Sequence, residues 1–327
     1  MKTFHVGLIG GGVISRAHIA AVQASGGRVR ITAIADPAEP ARRAIADATG
    51  AAPFASAEQM FAAAAEASLP LDGVLVCTPP SVRVPVVKMA LERGIAVLVE
   101  KPLAHHVSDA KTLVELAEAY PKVTTAVGYC HRFVPAILEM QRMLRAGELG
   151  TVVRFENTFA CWFPQMAQRW MSDVRVSGGG SLIDTGSHSL DLFRFLLGQG
   201  KVVGASFRHE WEGRGESNAT VLVQGGSSAG VIASGWAEPA RFIVSLVGTR
   251  AMASYDYDRP QELHIKPSQG EAQIVAVETH EVRFERQLLA FAEVASGRAD
   301  RGGLASFEDG LAVAQMVAEA QQLASII

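Results

Sequence analysis

FHVGLIGGGVIS, residues 4–15, is the stretch from which the rest of the chain is read. Phe4 to Ile9 alternates and then runs apolar, as a strand buried on both faces does. It delivers the chain into Gly10, Gly11 and Gly12, and RAHIAAVQAS then follows with a helical pattern that ends at Gly26 and Gly27. Strand, glycine turn and helix in this order form the dinucleotide-binding fingerprint. Gly10 makes the tight turn, Gly12 lets backbone approach a pyrophosphate, and Ser15 stands where a third small residue lets helix pack close on strand. A second apolar strand, Val29 to Ala35, ends in Asp36, placed to bond the adenine ribose hydroxyls. An acid there repels a 2′-phosphate and favours NAD over NADP, while Arg42 and Arg43 keep the second cofactor open.

The pattern continues. Helices are expected over Pro40–Thr49, Ala57–Ala67, Val82–Glu92 and Val107–Tyr120. Strands are expected over Leu71–Cys77, Ile95–Val99 and Val123–Val127. Strands alternating with helices of this length make βαβ units and a parallel sheet, with ligands at the carboxyl ends of the strands. Asp36, Thr78, Lys101 and Tyr129 all fall at such ends.

Beyond Gly128 the texture changes. A helix from Val134 to Ala146 and a strand from Val152 to Phe159 lead into an aromatic segment, CWFPQMAQRWM. After Gly198 come short strands with turns between them: Val202–His209, Ala219–Val223, Gly230–Trp236, Phe242–Gly248, Ala251–Asp256, Glu262–Ile265 and Gln273–Val277. Such runs predict an antiparallel sheet. Two helices, Arg283–Ser296 and Phe307–Ser325, close the chain. The expected fold class is α/β: a Rossmann dinucleotide-binding domain over residues 1–128, then an α+β domain over 129–327 with an open, mostly antiparallel sheet.

SGGGSLIDTGSHSLDLFRFLLG, residues 177–198, carries the densest chemistry. On one helix Asp184, His188 and Asp191 share a face, and three ionisable groups in a row are unusual among so many leucines and phenylalanines. The preceding Gly178, Gly179 and Gly180 would let backbone approach a ligand, and unpaired N–H groups at a helix start favour anions or oxygen-rich substrates.

Composition narrows the partners. A chain of 327 residues suits two domains. A net charge of -3 gives no reason to expect nucleic acid or an anionic membrane surface as a partner. The expected partner is a small molecule, and no metal site is expected. Cys77, Cys130 and Cys161 are odd in number and far apart, without a disulfide or metal-binding spacing. No apolar run reaches membrane-spanning length, and the start lacks the features of a signal peptide. A cytoplasmic location is therefore expected.

The glycine turn at Gly10, the TPP at Thr78–Pro80, the EKPL at Glu100–Leu103, the GYCHRF at Gly128–Phe133 and the GGGSLIDTGSH at Gly178–His188 occur in this order. Together they resemble the Gfo/Idh/MocA family, that of glucose-fructose oxidoreductase and inositol dehydrogenase, over nearly the whole chain. The resemblance implies a nicotinamide cofactor and hydride transfer at a hydroxyl or carbonyl carbon of a sugar, inositol or related polyol. It implies Lys101, Asp184 and His188 as catalytic residues, with Gly10, Gly12, Val13, Ile14, Asp36, Thr78, Pro79, Glu100 and Lys101 around the cofactor. It also implies a homodimer or homotetramer formed through the C-terminal sheet.

Those residue types suit the chemistry. A histidine titrating near neutrality can take the alcohol proton, and a lysine can stabilise charge developing on the substrate oxygen. Asp184 would hold the substrate hydroxyl or set the state of the imidazole. Asp191 either orients His188 or makes contacts within its helix. Tyr129, Arg132, Trp162 and Arg169 are expected to line the substrate pocket. The chain departs from the family pattern at Ser15, at Pro80 and Arg83, where many relatives have the asparagine and histidine of TPNxxH, and at Met171, where many have arginine. A dihydrodiol or other non-sugar hydroxy or keto compound is the alternative substrate class. A non-catalytic NAD-binding regulator is the alternative from another class, although such a protein would be expected to lose Lys101, Asp184 or His188.

Overall fold

The computed structural model describes residues 2–66 and 69–327. The described residues form two compact units, Met1–Cys130 with Phe284–Leu311, and His131–Arg283 with Ala312–Ile327. Residues 284–311, which chain order would put in the second domain, thus belong to the first unit.

The first unit holds a six-stranded sheet. Its strands are β1 (Phe4–Ile9), β2 (Val29–Ala35), β3 (Ala52–Phe54), β4 (Gly73–Val76), β5 (Ala96–Val99) and β6 (Thr125–Val127). All pair in parallel, in the order β3-β2-β1-β4-β5-β6. The connecting helices are α1 (Ser15–Ala24), α2 (Glu39–Thr49), α3 (Ala57–Ala65), α4 (Arg83–Leu91) and α5 (Val107–Ala119). The strand order reverses at β1/β4, the place where a doubly wound sheet opens a crevice for a dinucleotide. Both faces of the sheet are covered, so every residue of β4 and β5 is buried and these strands read as unbroken apolar runs. Strand β3 went unread in the sequence because its three residues contain a proline and no apolar run. Ala67, the expected end of α3, lies outside the described residues.

Gly10 has φ +98, and a Cβ there would lie 2.9 Å from the main-chain carbon of Cys77. Glycine is therefore required, both for the left-handed turn and for the close approach of β1 to the end of β4. α9 (Arg283–Ala295) packs here through Phe291, whose ring meets Phe4 edge-on at 5.9 Å.

The second unit holds a nine-stranded sheet in the order β14-β13-β12-β11-β7-β10-β9-β8-β15. The strands are β7 (Val152–Trp162), β8 (Lys201–Arg208), β9 (Asn218–Gly225), β10 (Ser228–Gly235), β11 (Ala237–Gly248), β12 (Ala251–Asp256), β13 (Glu262–Pro267), β14 (Gln273–Ala276) and β15 (Ala324–Ile326). Pairing is antiparallel except at β7/β10 and β8/β15. Burial alternates along β9, as in a sheet with one covered and one open face. The expected α/β class with a mostly antiparallel second sheet is what the chain forms. Helix α6 (Pro135–Arg145) precedes this sheet, α7 (Val174–Ser177) and α8 (Ser187–Leu197) follow β7, and α10 (Phe307–Leu323) ends the helical part of the chain. Strand β15 was hidden in the sequence because three residues after a helix carry no period.

One ring anchors α8 to the sheet. Phe193 meets Phe155 of β7 edge-on at 5.6 Å. A Cβ on Gly200, Gly225 or Gly230 would come within 2.5, 3.0 or 2.9 Å of the Phe193 ring. The glycines make the seat for this ring, and the seat sets the height of α8 over the strands. Gly230→Ala should therefore force Phe193 to shift and destabilise the protein by about 1–3 kcal/mol. Urea unfolding measures this, and an unchanged midpoint would show that the seat has slack.

Candidate active site

In the first unit the expected cofactor residues gather at the carboxyl end of the sheet. A Cβ on Gly12 would meet nothing within 4 Å, so this part of the turn is open to a ligand, while a Cβ on Gly11 would approach Ile45 and Ala41 of α2. Ser15 is 1% exposed, and its hydroxyl donates to the Gly12 carbonyl at 2.6 Å. The small third residue thus closes the turn onto itself. Asp36 accepts from the Gly11 N–H at 2.7 Å and from the Ala38 N–H at 2.7 Å. The carboxylate is oriented by backbone beside the glycine turn. An open glycine turn backed by an oriented carboxylate fits a dinucleotide with a free ribose diol. Val13 is 70% exposed and Ile14 is half-buried. Thr78 and Pro79 are half-buried at the end of β4, and Lys101 is half-buried at the end of β5.

Glu100, expected around the cofactor, carries its carboxylate inside the first unit. It is 5% exposed and accepts from His18 Nε2 of α1 at 2.7 Å and from the Lys101 N–H at 3.2 Å. Its carboxylate is turned inward because a buried acid needs a partner, and His18 supplies it. Burial by itself disfavours the His18 imidazolium, but the neighbouring Cys77 and Glu100 outweigh it and push its pKa up to about 10. Burial raises Glu100 in turn, and the bond from His18 overcomes this and holds the acid below its ordinary value. Neither the His18 partner nor the inward turn of Glu100 was legible, because His18 sits in an ordinary helical pattern.

In the second unit, residues 182–186 wind as a π-helix before α8 begins. Asp184 lies in the π-turn and His188 in the first turn of α8, so the regular spacing expected for Asp184, His188 and Asp191 does not hold across this junction. The wider turn re-aims Asp184, and π-turns of this kind occur often at functional sites. Asp184 and His188 are both half-buried, whereas Asp191 is 1% exposed.

The glycine triplet also serves a different end from the expected ligand approach. A Cβ on Gly180 would lie 2.0 Å from the Glu216 carbonyl oxygen. The Glu216 carbonyl accepts from the Ser181 N–H at 2.8 Å, and its carboxylate accepts from the Leu182 N–H at 2.9 Å. The anion at this helix start is the protein's own. Burial pushes the Glu216 carboxyl up, and the N–H groups of Leu182 and Gly180 oppose the rise.

Arg132, expected in the substrate pocket, is 5% exposed. It grips Asp191 through two parallel bonds, Nε to Oδ2 at 2.8 Å and Nη2 to Oδ1 at 2.6 Å. Asp191, expected to orient His188 or to make contacts within its helix, ties α8 to the segment that precedes α6. Bidentate geometry makes the pair rigid. It places His131 against His188, with ring centroids 4.5 Å apart. His131 Nδ1 lies 2.6 Å from the Tyr257 hydroxyl. The His131–Tyr257 pair was not foreseen, since more than a hundred residues separate the two in sequence.

Of the other expected substrate residues, Tyr129 is 1% exposed in the first unit, Trp162 is 64% exposed, and the Arg169 guanidinium lies 4.7 Å over the Phe163 ring. Burial pushes the Cys161 thiol up, with Asp184 and Glu238 adding to the rise. Among the described residues no group of three or more His, Cys, Asp or Glu side chains could hold a metal ion. No described helix is long and apolar enough to cross a membrane.

The chain thus combines a doubly wound unit with an open glycine turn, the architecture of a dinucleotide-binding domain, and a second unit with a histidine-bearing helix. Residues 4–129 match the NAD-binding Rossmann fold of the Gfo/Idh/MocA oxidoreductase family, and residues 137–254 match the Gfo/Idh/MocA C-terminal domain. The chain belongs to the Gfo/Idh/MocA family. It is 34% identical over 199 residues to the rhizopine catabolism protein MocA of Rhizobium meliloti, covering 61% of this chain and 59% of that one. It is 28% identical over 198 residues to an inositol 2-dehydrogenase of Corynebacterium glutamicum, covering 60% of this chain and 55% of that one. The chain thus spans little more than half the length of these relatives. In fold it is similar to levoglucosan dehydrogenase in complex with NADH and levoglucosan, with TM-score 0.87, 18% identity and 98% of both chains covered.

The His18–Glu100 pair links protonation to stability. His18, raised from 6.5 to about 10, contributes stability that is complete below 6.5 and lost as pH rises through about 10. Glu100, held below 4.5, contributes stability present above that value and lost as pH falls. The urea midpoint should therefore decline as pH is raised from 6.5 to 10, and His18→Gln should flatten that decline. A slope unchanged in the variant would assign the decline to other groups.

Proposed function

We propose that the protein is an NAD-dependent dehydrogenase that transfers hydride between the nicotinamide and a hydroxyl-bearing carbon of a sugar, inositol or related polyol. The observation that carries this reading is the open turn at Gly12 beside the oriented Asp36, on a chain whose second unit sets Asp184 and His188 at a π-turn junction. The relatives named above support the substrate class by their own names.

Gly10, Gly12, Val13 and Ile14 would hold the pyrophosphate, Asp36 the ribose diol, and Thr78, Pro79 and Lys101 the nicotinamide end. The cofactor supplies the acceptor for the hydride. His188 takes the proton of the substrate hydroxyl on its imidazole nitrogen. His131, packed edge-on against it, restricts the ring's orientation. Asp184 holds the substrate hydroxyl toward His188. The Lys101 ammonium stabilises the negative charge that grows on the substrate oxygen as its proton leaves.

The division of labour belongs to this proposal, with residues 1–128 for the cofactor and 129–327 for substrate and assembly, except that 284–311 pack with the first unit. So does a homodimer or homotetramer formed through the open face of the second sheet. Val203, Leu222 and Val231 are 48%, 47% and 36% exposed there, and Leu222 pairs directly with Val231 across β9 and β10. Three cysteines outside any disulfide suit a reducing, cytoplasmic compartment.

Absorbance at the reduced-nicotinamide band, with NAD and separately NADP, should show turnover in a panel of inositols, aldoses, ketoses and sugar acids. His188→Ala and Lys101→Met should each lower kcat by roughly a hundredfold to ten-thousandfold. Turnover confined to dihydrodiols would replace the substrate class. NAD binding with no turnover at all would point to a regulator. Sedimentation should give a multiple of the chain mass that Leu222→Asp reduces to the monomer, and a monomeric parent would remove the assembly proposal.

A further inference from the structure

Arg83 has no part in the reading above, yet its surroundings are specific. It opens α4 and is 2% exposed, so a full positive charge lies inside the first unit. Its hydrogen bonds go to main-chain carbonyls. Nε and Nη2 both donate to Thr78 O, at 3.1 and 2.7 Å. Nη1 donates to Glu100 O and to Pro102 O. The first carbonyl belongs to the loop after β4, and the other two flank Lys101 on either side. The Lys101 N–H is itself held by the Glu100 carboxylate at 3.2 Å, and that carboxylate is anchored by His18 at 2.7 Å.

The backbone of Lys101 is thereby gripped at its own N–H and at the carbonyls before and after it. A guanidinium is the side chain that can do this. Its planar fork carries five donors in fixed directions, whereas a lysine has one nitrogen to offer and a glutamine has two hydrogens. The Glu100 carboxylate offsets part of the cost of burying this charge, but the guanidinium's hydrogen bonds go to neutral carbonyls, and an apolar side chain could fill the space without that cost. The cost is understandable if the position of the two loops matters.

We infer that Arg83 is a positioning residue for Lys101, locking the loop after β4 to the loop after β5 so that Thr78 and the Lys101 amine are presented in one fixed geometry. The inference rests on the proposed role of Lys101, but it concerns a buried residue whose hydrogen bonds go to main chain. Displacement of a charged group by an ångström can cost on the order of a hundredfold in rate.

Two readouts test it on the full chain, with Arg83→Lys and Arg83→Gln. The first is the pH-dependent rate at which an amine-acylating reagent labels Lys101, followed by peptide mass spectrometry with the exposed Lys88 as internal reference. Both variants should change the Lys101 rate severalfold and leave Lys88 unchanged. The second is steady-state turnover, where kcat should fall at least tenfold with a smaller change in the polyol KM. Millimolar methylguanidine should recover part of the rate in Arg83→Ala. Labelling within twofold of the parent in both variants would overturn the inference, as would general exposure of every lysine, which would mark Arg83 as a plain fold residue. The labelling does not need turnover, so a parent protein silent toward every polyol would remove the proposed function and still leave the positioning role decided.

Discussion

A carboxylate taken out of water must find a partner, and Glu100 at the end of β5 sets the arrangement of the first unit around that requirement. His18 reaches it from α1, the helix that the glycine turn opens. Gly128 leaves the space, since a Cβ there would stand 3.1 Å from Glu100 Oε1. The same carboxylate turns back to hold the Lys101 N–H, and Arg83 holds the carbonyls on both sides. The dinucleotide helix, the loop after β4 and the strand end that carries Lys101 are thus joined by charged groups that would each be costly alone. Removing either member of the His18–Glu100 pair leaves the other buried without its ion-pair partner.

The second unit solves the corresponding problem with different parts. The helix that carries His188 is held from three directions. Phe193 sits in a glycine seat on the sheet, Arg132 grips Asp191, and Glu216 occupies the helix start beneath the glycine triplet. Between these fixed points the chain adopts one π-turn, which directs Asp184 differently from a continuous α-helix. The extra width is tolerated because the segment on either side is pinned. Single π-turns are rare and fall frequently at functional sites.

Some of this was open to reading from residue order. The parallel sheet, the glycine turn, Asp36, the strand-end positions of Thr78 and Lys101, and the change to antiparallel strands after Gly128 all depend on local periods and turn residues. Short elements escaped, such as β3 with its proline and β15 after α10, because three residues carry no period. The inward turn of Glu100 and the burial of Arg132 escaped for another reason. A charged side chain looks the same in sequence whether it faces a ligand or an ion-pair partner.

By itself, the sequence determined the α/β class, the nucleotide-binding turn and which residue types stand at the strand ends, since these follow from hydrophobic period and glycine chemistry within a few neighbours. Tertiary structure alone decided which charges serve the fold and which stay half-buried at the candidate site. His18 meets Glu100, Arg132 meets Asp191 and His131 meets Tyr257 only after distant segments are brought together. The physical reason is that the free energy of a charge depends on what surrounds it, and those surroundings are made by folding.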